Sequence, residues 1–191
     1  MKYLRTFIAL PLKVNNHFLK SREEMMQKLA NERISWVDPG RYHVTIRFLG
    51  DTPPEELEML RHSMRESISV PGKTRVRLDH VGSFGSRKKP RVIWLGFEGS
   101  FFFESLRDEV DKALEDCGIM PDRQAFRAHL TLGRIRALKD LKGYYGVIES
   151  MKDCFSGEIL SDRLVYYKSE LGSGGPVYTP LEQVFFPDQA F

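Results

Sequence analysis

An α+β fold of largely antiparallel sheet with flanking helices is predicted by three observations. Segments alternating apolar and polar residues recur along the whole chain. Segments with apolar residues three and four positions apart separate them, and the order mixes hairpins with helical crossovers instead of repeating one strand and one helix. A length of 191 residues suits one domain, or two small lobes sharing a core.

Residues 3–10 alternate loosely and contain Tyr3, Thr6, Phe7 and Ile8, which predicts a first strand; Arg5 inside the run and Lys13 after it are unlike a signal-peptide core. Over 12–30, Val14, Phe18, Met25 and Leu29 fall at helical spacing. After the turn pair Pro39-Gly40, residues 41–48 alternate strictly, with Tyr42, Val44, Ile46 and Phe48 on one side and Arg41, His43, Thr45 and Arg47 on the other. Asp51 reads as the N-cap of a helix reaching about residue 68, with Pro53, Pro54, Glu55 and Glu56 in its first turn and Leu57, Leu60, Met64 and Ile68 on its apolar face.

Strands at about 74–81 and 91–97 flank a Gly/Ser/Lys-rich segment, 82–90, that reads as a mobile hairpin connection. A helix over about 101–117 follows from the spacing of Phe102, Leu106, Val110, Ala113 and Leu114, with Gly118 as its stop. Alternation returns over 127–134, where Ala128, Leu130 and Leu132 oppose His129 and Thr131. A helix near 137–150, a strand near 162–170, a turn at Gly172 to Gly175 and a strand near 177–186 complete the chain.

Composition narrows the function classes. With 41% hydrophobic and 29% charged residues the chain is not a disordered one, and no apolar stretch is long enough to span a membrane. Cys117 and Cys154 are isolated, so neither a zinc site nor a disulfide framework is indicated, and a cytoplasmic location is expected. A net charge of +3 does not mark a nucleic-acid binder. Two basic clusters, Arg87, Lys88, Lys89 and Arg91, then Arg134, Arg136 and Lys139, read equally well as solvated surface.

The most informative feature is an internal repeat: His43-Val44-Thr45-Ile46 against His129-Leu130-Thr131-Leu132, 86 residues apart. Residues i and i+2 of a strand share a face, so each unit presents an imidazole beside a hydroxyl while Val44 or Leu130 enters the core. A lone strand histidine is usually structural; two matched units point to shared chemistry. Two imidazoles facing one centre suit a reaction in which a proton is removed on one side and delivered on the other, as in phosphodiester cleavage. Thr45 and Thr131 could donate to the non-bridging oxygens. No His-Glu-x-x-His unit or cysteine cluster is present, so no metal or other cofactor is expected. Periodicity alone leaves open whether the two strands meet.

The sequence resembles the two-histidine phosphoesterase superfamily and, within it, the RNA 2′,3′-cyclic phosphodiesterases also called 2′-5′ RNA ligases. The resemblance is carried by Arg5-Thr6-Phe7-Ile8-Ala9, by the nine residues from Tyr42 to Gly50, by Pro90 to Gly96, by His129-Leu130-Thr131-Leu132-Gly133-Arg134 and by Gly175-Pro176-Val177-Tyr178-Thr179-Pro180-Leu181. One departure is Ala128, where members of the family commonly have proline; alanine removes no reacting group.

The resemblance implies a single bilobal domain over 1–191, with two pseudo-symmetric lobes and the active-site cleft between them. It implies metal-independent hydrolysis of RNA 2′,3′-cyclic phosphate ends to 2′-phosphate ends, with His129 as general base and His43 as general acid. Thr45 and Thr131 would hold the phosphate and Arg134 would bind phosphate or nucleotide. The implied partner is an RNA with a cyclic phosphate end, or a cyclic nucleotide, and the expected state is a monomer. Phe84 and Tyr42 are candidates for stacking on a base, although Tyr42 lies on the face read as core. Three alternatives stay open on the sequence: 2′-5′ ligation, action on another small cyclic phosphate, and an RNA-binding module without catalysis.

Overall fold

The computed structural model describes residues 3–69, 72, 74–99, 101–122, 125–155, 157–172 and 175–187. In chain order its elements are β1 (Leu4–Pro11), α1 (Asn16–Lys28), β2 (Arg33–Trp36), β3 (His43–Thr52), α2 (Leu57–Ser67), β4 (Thr74–Ser86), β5 (Lys89–Phe97), α3 (Phe101–Glu115), β6 (Leu130–Ala137), α4 (Leu141–Ser150), β7 (Gly157–Ser161), β8 (Arg163–Gly172) and β9 (Gly175–Phe185). They form two sheets, ordered β3-β1-β8-β9 and β2-β6-β5-β4-β7, and every pairing is antiparallel.

The predicted fold class stands, and the two lobes are related in detail. β1-α1-β3-α2 in the first half corresponds to β5-α3-β6-α4 in the second, and each His-x-Thr strand pairs with the strand that begins its unit. Side chains from both sheets and all four helices join one buried apolar cluster, with α3 against β3, α2 against β9 and α4 against β4.

Local chemistry sets the helix ends. Asn15 Oδ1 accepts from the Phe18 amide at 2.9 Å and Asp140 Oδ1 from the Gly143 amide at 2.8 Å, each satisfying an N–H that the first helical turn leaves free. Gly118 ends α3 as predicted: with φ of +78° it lets the Ile119 amide reach the Leu114 carbonyl at 2.9 Å.

The expectations differ from the structure in several places. Asp51 caps no helix, because β3 runs on to Thr52 along β1, pairing Asp51 with Arg5; α2 instead follows a 3-10 turn, Pro54–Glu56. The short strands β2 and β7 are not predicted by the sequence pattern, since four or five residues give too little alternation to read. Of the turn at 172–175, Ser173 and Gly174 lie outside the described residues. The segment 82–90 is not a loose loop: β4 and β5 run through it to a two-residue turn at Arg87-Lys88. Its glycines serve close packing. A Cβ on Gly82 would stand 2.7 Å from Trp94 Cε2, and Gly85, with φ of +110°, brings its backbone against Lys89 and Arg91.

The strict alternation expected over 41–48 also breaks. Ile8 pairs with Arg47 and Ala9 with Thr45, so Ile46 is an extra residue in β3, a β-bulge. Beyond it Arg47 turns inward, 5% exposed, and Phe48 turns out, 63% exposed. The bulge is held by charge. Arg107 Nη1 donates to the Ile46 carbonyl at 2.6 Å, and Arg107 Nε donates to Asp111 Oδ2 at 2.5 Å. Asp111 also faces Arg47 Nε at 3.4 Å, and Arg47 Nη2 donates to the Met120 carbonyl at 2.5 Å. These contacts tie β3 to α3 and to the segment that leads to His129. Replacing Asp111 with alanine leaves two largely buried guanidinium groups without this carboxylate and is expected to lower stability by about 3–5 kcal/mol in urea unfolding. A loss under about 1 kcal/mol would show that the pairing does not hold the strand.

Candidate active site

Each histidine is presented in the same way. His43 Nδ1 and the Arg41 carbonyl lie 2.7 Å apart, as do His129 Nδ1 and the Arg127 carbonyl. A carbonyl only accepts, so Nδ1 carries the hydrogen in both rings and Nε2 is left for other partners. This tether to the residue two positions back fixes tautomer and ring orientation together. His43 opens β3, whereas His129 stands one residue before β6, a later strand start than the alternation over 127–134 predicts. Pairing of β5 with β6 stops at Leu95 and Leu130, and upstream the Arg127 guanidinium packs over the Trp94 ring at 4.5 Å.

Aromatic rings wall both imidazoles. The His43 ring lies 5.4 Å from those of Phe7 and Tyr178, and Phe7 in turn contacts Tyr167 and Phe48. The His129 ring meets Phe84 edge to face at 4.8 Å, and Phe84 stacks on Trp94 at 4.9 Å. A cavity of about 570 Å³ lies beside His43, bounded by Arg41, Tyr167, Pro176 and Tyr178.

The two halves meet where β3 and β6 come into contact, and the charges around each imidazole reflect it. Burial pushes the His43 imidazole below its ordinary range, and the charges of His129 and Arg134 push the same way against the Arg41 carbonyl. Burial likewise lowers His129, joined by Arg134 and Arg127 and opposed by the Arg127 carbonyl. The structure thus brings His43, His129 and Arg134 within electrostatic reach of one another. Thr45 and Thr131 are half-buried, two residues along from their histidines on the same faces.

Arg134 reaches this position through a second bulge. Ile93 pairs with Gly133 and Trp94 with Thr131, so Leu132 is the extra residue in β6, as Ile46 is in β3; the Leu132 carbonyl accepts from the Val37 amide at 2.8 Å. In a regular strand without the bulge, Arg134 would share the core face with Leu130 and Leu132.

Residues 8–94 and 103–178 match the family of LigT-like phosphoesterases. The chain belongs to that family. Each matched segment holds one His-x-Thr strand of this LigT-like phosphoesterase. Over 182 residues, 94% of this chain and 99% of the relative, it is 28% identical to the RNA 2′,3′-cyclic phosphodiesterase of Methanocaldococcus jannaschii. Over 179 residues, 94% and 97% of the two chains, it is 26% identical to the protein of the same name from Methanothermobacter thermautotrophicus. A crystal structure of a Thermus thermophilus protein superposes with a TM-score of 0.77 at 25% identity, covering 98% of this chain and all of that one.

Several residues of the site escape the sequence reading. Phe48 is assigned to the core by alternation but lies on the face of Phe7 and His43. Phe7 and Tyr178, which pack against His43, and Arg127, which packs on Trp94, carry no role in that reading. One signal was available: the 86-residue offset extends outward, matching Arg41 with Arg127 and Phe48 with Arg134. Tyr42 is no stacking surface. It is buried, its hydroxyl accepts from Arg22 Nε at 2.8 Å, and burial pushes that hydroxyl up to about 12. Among the described residues no group of three or more His, Cys, Asp or Glu side chains is arranged to hold a metal ion.

In an NMR titration both imidazoles are expected to have midpoints below the ordinary 6.5 or so. Replacing Arg134 with glutamine removes a positive charge that opposes protonation and is expected to raise both midpoints. Unmoved midpoints would place Arg134 away from the pair. Because the unfolded chain binds protons that the folded one does not, the associated stability is complete above about pH 6.5 and is lost as pH falls through the folded-state values. Unfolding temperature measured against pH, in the parent and in His43→Gln, checks that sign.

Proposed function

We propose that this LigT-like phosphoesterase hydrolyses RNA 2′,3′-cyclic phosphate ends to 2′-phosphate ends without a metal. The observation that carries the reading is the matched tethering of the two imidazoles, which leaves an Nε2 from each lobe for one reacting centre. Two curated relatives named RNA 2′,3′-cyclic phosphodiesterase, alike over nearly their whole length, support the substrate class.

In this mechanism His129 Nε2 takes a proton from water as the water oxygen bonds to phosphorus. The bond from phosphorus to the ribose 3′ oxygen breaks, and His43 Nε2 protonates the departing oxygen. Burial keeps His129 neutral near pH 7, as a base must be. His43 must begin protonated, and the negative charge of the bound phosphate favours that form. Thr45 and Thr131 donate to the non-bridging oxygens while Arg134 balances their charge. Phe48 and Phe84, on the faces that carry the histidines, offer surfaces for a base. Among the described residues no helix is long and apolar enough to cross a membrane. The chain is proposed to act as one bilobal unit over residues 1–191, monomeric and cytoplasmic; both lobes supply the site, and its two cysteines are unpaired.

His43→Ala and His129→Ala are each expected to lower kcat on a 2′,3′-cyclic-phosphate RNA end by about 10²–10⁴-fold while the protein stays folded by circular dichroism. Parent rates in either variant would overturn the mechanism, as would activity that vanishes with chelator and returns with added metal. The product is expected to be a 2′-phosphate, distinguished from the 3′ isomer by ³¹P NMR. Since one histidine must be neutral and the other protonated, and both sit low, kcat/KM is expected to be bell-shaped with its maximum on the acidic side of pH 6.5.

A further inference from the structure

Basic side chains are distributed unevenly over this protein. Away from the cleft, several cations pair with acids: Arg75 with Glu158, Arg77 with Glu98, Arg61 and Arg65 with Glu182, and Lys168 with Glu170. Around the turn of the β4–β5 hairpin the pattern reverses. Arg87, Lys88, Lys89, Arg91, Arg134 and Arg136 are all exposed, and among the described residues none of them forms an ion pair. The nearby acids are engaged elsewhere: Glu32 accepts from the amides of Lys139 and Asp140, and Asp140 caps α4.

These cations are contiguous with the active site. Arg134 stands in register with Val92 of β5 and Ser35 of β2, and Val92 with Phe84 of β4, whose ring touches His129. Arg136 Nε donates to Ser35 Oγ at 3.1 Å, which sets it beside Arg134. From Phe84 the strand runs three residues to the turn, about 10 Å at the rise of a strand. The turn is also anchored. Tyr145 Oη donates to the Arg87 carbonyl at 3.1 Å, the Lys89 amide donates to Ser86 Oγ at 3.1 Å, and Ser83 Oγ contacts Tyr144 Oη. Like charges held together on a fixed element, with no acid to neutralise them, lower the free-state stability of the patch and favour binding of a polyanion.

We propose that the β4–β5 hairpin and the Arg134–Arg136 end of β6 form a rail for the backbone phosphates of single-stranded RNA. The rail makes the enzyme select an RNA chain over a cyclic mononucleotide. This rests on the function proposed above and extends it from the reacting nucleotide to the strand that carries it. Aromatic faces at the site and cations along the rail are the combination that binds single strands without reading sequence.

The test compares kcat/KM on a 2′,3′-cyclic mononucleotide and on a ten-nucleotide single strand ending in a 2′,3′-cyclic phosphate, using the parent and the triple variant Arg87→Gln, Lys88→Gln, Lys89→Gln. The ratio of oligonucleotide to mononucleotide is expected to fall about tenfold in the triple variant. Fluorescence anisotropy with the same strand ending in an unreactive 2′-phosphate reads binding without turnover, and the slope of log affinity against log salt is expected to shrink by about 2, at about 0.7 for each phosphate no longer neutralised. The control variant Arg75→Gln, Arg77→Gln, at the far end of β4, is expected to keep both readouts at parent values. An unchanged ratio and slope in the triple variant, or an equal change in the control, overturns the rail while the catalytic reading stands. Absence of turnover on both substrates by the parent overturns the catalytic reading, and the anisotropy slope then still decides the rail.

Discussion

An extra residue directly after the threonine of each His-x-Thr strand governs what the rest of this protein can present to a substrate. A regular strand would send Arg47 to the face of His43 and Arg134 to the face of Leu130. With Ile46 and Leu132 inserted into the ladders, the order reverses beyond them, so Phe48 and Arg134 emerge where the histidines are and Arg47 turns inward. A bulge leaves a carbonyl without its ladder partner, and both are satisfied by groups from outside their own hairpins. Arg107 reaches the Ile46 carbonyl, and the Val37 amide reaches that of Leu132. The irregularity is thus stabilised by the same tertiary packing that it serves.

The inward turn of Arg47 has its own structural result. Its guanidinium, Asp111 and Arg107 form a largely buried charged group that joins β3, α3 and the chain ahead of β6. Such a group contributes little net stability by itself, since desolvation offsets most of the attraction, but it tolerates few alternative geometries. The two histidines stand at the starts of strands in different sheets, and Ala128, just before the second of them, supplies no conformational restraint of its own. The charged group constrains the same segment from the side.

Glycine has two uses in this chain. At Gly118 it provides a positive φ that ends a helix. At Gly82 it makes room for the Trp94 ring, which supports Phe84 and, through it, the His129 wall. Composition cannot separate these uses. Gly, Ser and Lys in the 82–90 segment suggest flexibility, whereas packing makes it an ordered hairpin whose turn is fastened to α4 by Tyr145.

The sequence by itself determined the α+β class, most helices and strands, and the two histidine–threonine faces, because each depends on a periodicity of 2 or 3.6 that neighbouring residues express. It also held the 86-residue offset, including the Arg41 and Arg127 match that flanks the four-residue repeat. Only the tertiary structure decided that β3 and β6 come into contact, that Phe48 emerges on the face of His43, and that the charge of Arg134 reaches both imidazoles. Those outcomes depend on which strand lies beside which and where a ladder gains a residue. Register is a property of two strands at once, and neither strand's sequence contains it alone.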